Sequence, residues 1–288
     1  MPYIINPYRF GVVSRDWIPT DSSNGGGSDW CWHNAGDTGN IDDTANAVNQ
    51  LDDSSGNGWH LKQTTAADKP TTNSVVLDSK NGIYFDGTTE HLKTDSDFTA
   101  IGTNDMTLMF VGRVYATSTT NMVMMAASDD ITGITRGTGW KYTQRTNDDI
   151  RFVITDDITT SDNVLLENVF DSTRAYLFGV TIERTGSTSL SEKRYVDGDL
   201  LQTNAKSGAQ FDTLNLTGPL CWAAAHNGTG AGLYYKIDLF EGIYIIGDLD
   251  STYRVKAEGY LAHRWGLESY LPVGHTYKSA APQYPADA

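Results

Sequence analysis

Between residues 82 and 246 the apolar residues fall into short runs separated by clusters of Gly, Asn and Asp. Gly82–Asp86, Met106–Val114, Asn121–Ala127, Gly139–Gln144, Ile150–Thr155, Asn163–Phe170, Ala175–Glu183 and Leu233–Ile246 are rich in β-branched and aromatic side chains. Runs of this kind between turn formers predict strands. Within Met106–Val114 the alternation puts Met106, Leu108, Phe110, Gly112 and Val114 on one face and Thr107, Met109, Val111 and Arg113 on the other. A strand apolar on nearly both faces belongs inside a layered β protein. Asp197-Gly198 sits between Tyr195-Val196 and Leu200-Leu201, which predicts a tight hairpin because type I′ turns need positive φ. One helix is predicted over Thr252–Trp265, with Asp250 or Ser251 as its N-cap and Gly266-Leu267 as its C-terminal stop. Val255, Gly259 and Ala262 share one side, beside Leu261 and Trp265, which suits packing on a sheet.

Composition sharpens this into an all-β reading. The chain has 29 Asp, 28 Gly and only 7 Glu; Asp and Gly serve turns, whereas Glu favours helices. Apolar residues make up 39% and aromatics 11% of 288 residues, enough for a sizeable core, which excludes general disorder. A net charge of -15 opposes a phosphate backbone, so nucleic acid is not an expected partner. No run approaches the roughly 18 apolar residues of a membrane span, and Met1–Phe10 lacks the cationic start and apolar run of a Sec leader. Cys31 and Cys221 are too few for a disulfide framework or a four-cysteine zinc site. Each lies beside Trp, which points to buried small hydrophobes, with a single bridge as the alternative. The predicted organisation is an arm and Gly/Ser-rich connector over 1–29, one domain over 30–279, and a tail over 280–288.

Specific motifs carry a resemblance. Val48–Gln63 (VNQLDDSSGNGWHLKQ), Ala67–Pro70 (ADKP) and Asn81–Leu92 (NGIYFDGTTEHL) resemble the opening of concanavalin A-like, laminin-G-like jelly-roll domains. Tyr195–Leu200 resembles that family's Tyr-x-Asp-Gly hairpin, and Glu258–Lys278 (EGYLAHRWGLESYLPVGHTYK) resembles its terminal element. The resemblance covers roughly residues 30–280. It implies a jelly-roll sandwich of two antiparallel sheets with one short C-terminal helix. Because sites are grafted onto such scaffolds independently, it implies fold far more than function.

Retaining glycosidases need two carboxylates about 5 Å apart, which on this fold come from Glu-x-Asp-x-x-Glu on one strand. None of the seven glutamates shows that spacing. His33, His60, His91, His226, His263 and His275 form no His-Glu-x-x-His pair, and no Gly-x-Ser-x-Gly elbow or Walker lysine occurs. The expectation is therefore a non-enzyme. Sugar binding needs less: an aromatic face and nearby polar groups. Trp140, Tyr142 and Gln144 alternate on one strand face with Asp148 in the next turn, and are the sugar-binding candidates; the competing reading buries Trp140 and Tyr142 in the core or a subunit interface. No cofactor is implied. Calcium is the ion the acidic loops would suit, but no ordered Asp-x-Asp-x-Asp-Gly loop is present to hold it.

Related domains occur in bacterial and phage proteins. Combined with the absent catalytic motif and leader, this leads to a structural protein of a tailed-phage virion, made in the host cytoplasm. Capsid decoration comes first and a tail or fibre part next; a glycan-binding adhesion module is the alternative. The aromatic arm, Tyr3, Ile5, Tyr8 and Phe10, would attach it to capsid or tail proteins. A homo-oligomer is expected, with a trimer favoured, displaying the domain towards cell-surface glycans.

Overall fold

The computed structural model describes residues 15–21, 30–98, 101–115, 122–128, 138–144, 150–156, 160–161, 170–208, 211–212, 214, 218–226, 229–247 and 251–284. Nearly all regular structure among them is antiparallel β, with one α-helix, Ser251–Arg264. The back sheet runs Asp199–Ser207, Ser189–Val196, Tyr176–Gly186, Met106–Val114, Lys236–Ile246. The far edge of Lys236–Ile246 is shared by Lys80–Asp86 and Trp30–Asn34. The front sheet runs Ile150–Asp156, Thr138–Gln144, Met122–Ser128, Pro219–Trp222, Leu92–Asp97, Leu61–Lys62, Ala47–Leu51, Ile41–Thr44. Thr71–Leu77 joins the two sheets at one edge, pairing with Lys80–Asp86 and, through Thr71, with Ala47. This is the all-β sandwich with one short helix that the sequence predicts.

Two cores hold the layers together. Between the sheets, Phe110 stacks on Phe178 at 4.8 Å, and Trp140 lies 5.2 Å from Tyr244. On the outer face of the back sheet, Met109, Val111, Phe240, Ile243 and Ile245 meet Tyr253, Ala257, Leu261 and Trp265 of the helix region. Met106–Val114 is apolar on both faces because the helix covers the side that the front sheet does not. The helix ends at Gly266, whose φ of 67° suits a glycine C-cap. Gly259 lets the closing segment cross the helix: a Cβ there would lie 2.5 Å from Tyr277. Asp250, one of the two predicted caps, lies outside the described residues.

Glu241 joins strand to helix. Its fully buried carboxylate accepts from Trp32 Nε1 at 2.6 Å, Trp265 Nε1 at 2.7 Å and the Tyr260 hydroxyl at 2.9 Å, and lies 3.1 Å from Arg264 Nε. The Asp-Ser-Ser-Gly-Asn-Gly turn is tied down in a similar way. Asp53 accepts from the backbone N–H groups of Trp32, Ser55 and Trp59 and from the Ser55 hydroxyl. Asp197 and Gly198 form the predicted turn with φ of 51° and 82°, and the Asp197 carboxylate also accepts from Leu177 N and Arg174. Part of the segment read as the arm is docked: Arg15–Asp16 pairs with Gln283–Tyr284, and buried Trp17 packs edge-on to Tyr253 and Tyr260. Both cysteines are buried and unbridged.

Candidate functional site

The sequence candidates do not meet at an exposed sugar platform. Trp140, Tyr142 and Gln144 lie on the inward face of the strand Thr138–Gln144, with exposures of 0%, 1% and 1%. The indole N–H donates to the Tyr244 hydroxyl at 3.1 Å, Tyr142 packs on Phe110 at 5.1 Å, and Gln144 Oε1 accepts from Tyr235. Alternation showed that the three share a face, but that face looks between the sheets. Asp148 lies outside the described residues, as do Tyr3, Ile5, Tyr8 and Phe10.

The opposite face of the front sheet is a better place for chemistry. One transverse row crosses it in register: Asp42, Gln50, Lys62, Lys93, Cys221, Ala126, Lys141 and Val153. Leu61, Leu92, Trp222, Tyr142 and Phe152, one position away along their strands, all enter the inter-sheet core, so this row points outward. Its Cys221-to-Val153 end is nonetheless buried. The sheet becomes accessible at Lys93 and Lys62, both half-buried, and continues to Gln50 and exposed Asp42.

A polar cluster gathers at that transition. His91 precedes Leu92 on the same outward alternation, and its ring centroid lies 5.8 Å from that of His226 and 5.9 Å from that of Tyr234. His91 Nδ1 lies 2.9 Å from the Thr89 carbonyl, and Gln63 Nε2 reaches the same ring at 3.2 Å. The half-buried Tyr234 donates its hydroxyl to the Ala231 carbonyl at 3.1 Å. Burial lowers the pKa of both imidazoles, taking His226 to about 4, and the Lys93 charge lowers them further. The negative charge of Asp68 acts on both His91 and Tyr234. At neutral pH the two buried rings are therefore uncharged, and both ring nitrogens of His91 are engaged, by the Thr89 carbonyl and by Gln63. Burial also raises the Cys221 thiol well above its ordinary value, which makes it an unreactive wall of the row.

Sequence reasoning missed this cluster because His91, His226 and Tyr234 come from distant parts of the chain, and only the strand order brings them together. The visible signal was the alternation of His91 and Lys93 against Leu92 and Thr94. Among the described residues no group of three or more His, Cys, Asp and Glu side chains is placed to hold a metal ion.

These features define an all-β sandwich with a polar, partly aromatic cluster on its front face. No protein-family model matches the chain, and no curated protein is significantly similar to it. Solved structures do share the fold. The botulinum neurotoxin serotype D binding domain aligns with a TM-score of 0.56 and 12% identity over 86% of this chain and 54% of its own. An arabinofuranosidase complexed with arabinofuranosyl-alpha-1,2-xylobiose aligns with a TM-score of 0.52 and 13% identity over 74% of this chain and 50% of its own. Trypanosoma rangeli sialidase in complex with sialic acid gives 0.50 and 11% identity over 77% of this chain and 31% of its own. This chain thus spans about half the length of the first two and under a third of the last. At such identities the likeness establishes the sandwich fold.

Proposed function

We propose that the protein is a glycan-binding module whose site is the front-face cluster of His91, His226 and Tyr234. The observation that carries this reading is the pair of uncharged imidazoles, 5.8 Å apart, beside a half-buried phenol at the accessible end of a sheet face. Uncharged imidazoles cost less to cover with a sugar than charged ones, and the half-buried Tyr234 ring offers an apolar surface to sugar C–H groups. Structures of similar fold include proteins whose ligands are sugars, which supports the reading as analogy. Binding rather than hydrolysis is favoured because, among the described residues, Asp68 is the one carboxylate whose charge acts on His91 and Tyr234, whereas retaining hydrolysis needs two such groups about 5 Å apart.

A glycan array with the wild-type protein should identify bound sugars. Against the best of them, Tyr234→Ala and His91→Ala should each weaken binding by about tenfold or more, equal to about 1.4 kcal/mol. Unchanged affinity in both variants would place the sugar elsewhere on the molecule.

The virion reading stands as a second proposal, in which this module is displayed on a phage particle as a trimer. One observation favours it: Arg15–Asp16 and Gln283–Tyr284 meet on the helix side, while the candidate site is on the opposite, front side. Attachment through the terminal segments would leave the sugar site pointing outward. Light scattering should then give a mass of three chains that persists on dilution; a monomer at all concentrations would remove this reading and leave the glycan module.

A further inference from the structure

The front-face row contains three lysines, and they are not equivalent. Lys141 is buried at the closed end, and Lys62 forms an ion pair with Asp95. Lys93 stands between them, half-buried and next to the imidazole pair. Its ammonium reaches the Thr94 carbonyl at 3.3 Å, and no carboxylate among the described residues lies within ion-pair distance. The field of this ammonium reaches His91, His226 and Cys221, so all four groups share one small region of the sheet.

Among the described residues Lys93 has no carboxylate partner, although 36 acids face 21 Lys and Arg in the sequence. Lys62, its partner across the ladder, is by contrast paired with Asp95. Both neighbouring imidazoles are neutral at neutral pH, so Lys93 is the cationic group of the cluster. The overall charge of -15 repels anionic ligands at long range, which leaves short-range contact with a local cation as the way to hold one.

We propose that the site selects acidic sugars, those bearing a carboxylate, and that the Lys93 ammonium is the group that reads the charge. This rests on the glycan-binding reading above and names its ligand class. The sugar ring sits against Tyr234 beside the neutral His91 and His226, and the carboxylate docks on Lys93 in a charge-assisted hydrogen bond. Lys93 is a specificity-determining residue: removing it takes away the preference for the acid and leaves the neutral contacts in place.

The experiment measures binding of three matched probes, 3′-sialyllactose, its methyl ester and lactose, together with galacturonic acid and galactose oligomers, by calorimetry at two salt concentrations. The wild type should prefer each acid to its ester or neutral counterpart by about tenfold, with the margin shrinking as salt rises. Lys93→Gln should reduce the preference to within twofold while holding the weaker neutral sugars as before, and Lys93→Arg should restore most of it. Equal binding of acid and ester by the wild type, with neutral sugars bound, would overturn this proposal and leave the glycan reading intact. An acid preference that survives in Lys93→Gln would assign the charge reading to another group and overturn it equally. Binding of no sugar on the array would overturn both.

Discussion

Replacing Glu241 by Ala should cost about 5 kcal/mol, more than any other single truncation outside the aromatic core. The carboxylate is fully buried and serves two indole N–H donors, one phenol and one guanidinium, drawn from the strand Trp30–Asn34 and from the helix region. Breaking a buried charge pair by deleting one partner costs about 3–5 kcal/mol, and each buried donor left without an acceptor adds about 1–3 kcal/mol before relaxation. Water entering the gap recovers part of this, which sets the net figure. For a chain of this size each kcal/mol corresponds to about 2 °C, so Tm should fall by about 8–10 °C. Glu241→Gln keeps an acceptor oxygen and the side-chain volume, so it should lose roughly half as much. Thermal unfolding followed by near-UV circular dichroism reads both, because two of the four partners are Trp. A Tm within 2 °C of wild type in Glu241→Ala would show that the helix is held by its apolar contacts alone.

The same residue shows what could be read in the sequence and what could not. Lys236–Ile246 was legible as a strand from its apolar run, and Ser251–Arg264 as a helix from its cap and Gly266. Glu241 in the middle of that apolar run gave no sign that it was the acceptor for Trp32, Tyr260 and Trp265, since none of these is its sequence neighbour. Strands that buried polar groups were the hardest to see. Ser189–Val196 reads as a charged segment, yet Glu192 and Arg194 point into the sandwich, where Glu192 pairs with both Arg194 and Lys206. Polar strands such as Ile41–Thr44 and Leu92–Asp97 were missed for a related reason: one face carries the structure and the other carries Asp, Lys and Thr. The motifs resembling the jelly-roll family proved to be hydrogen-bonding devices. The turn around Asp53 ties down the strand Trp30–Asn34, and His275 lies 3.3 Å from Glu258 in the terminal element. They locate the fold and say nothing about a ligand, which is why the front-face cluster had to come from strand order.

Trp140→Ala is the second large effect and decides what that residue is for. The indole has 0% exposure, packs 5.8 Å from Phe152 and 5.2 Å from Tyr244, and donates to the Tyr244 hydroxyl. Truncation empties a large volume between two sheets whose positions are fixed by ladders on both sides, so the walls cannot collapse to fill it. Such Trp-to-Ala changes cost about 3–5 kcal/mol, or about 6–10 °C in Tm for this chain. Trp140→Phe retains much of the ring contact and should lose less than half of that. Sugar affinity, measured below the lowered Tm, should stay within twofold of wild type, because the ring looks between the sheets while His91, Lys93 and Tyr234 lie beyond the outward face. The opposite pattern, weakened sugar binding with unchanged Tm, would mean that the front strands open in solution to expose Trp140, and the glycan site would then move to the inner face of the same sheet.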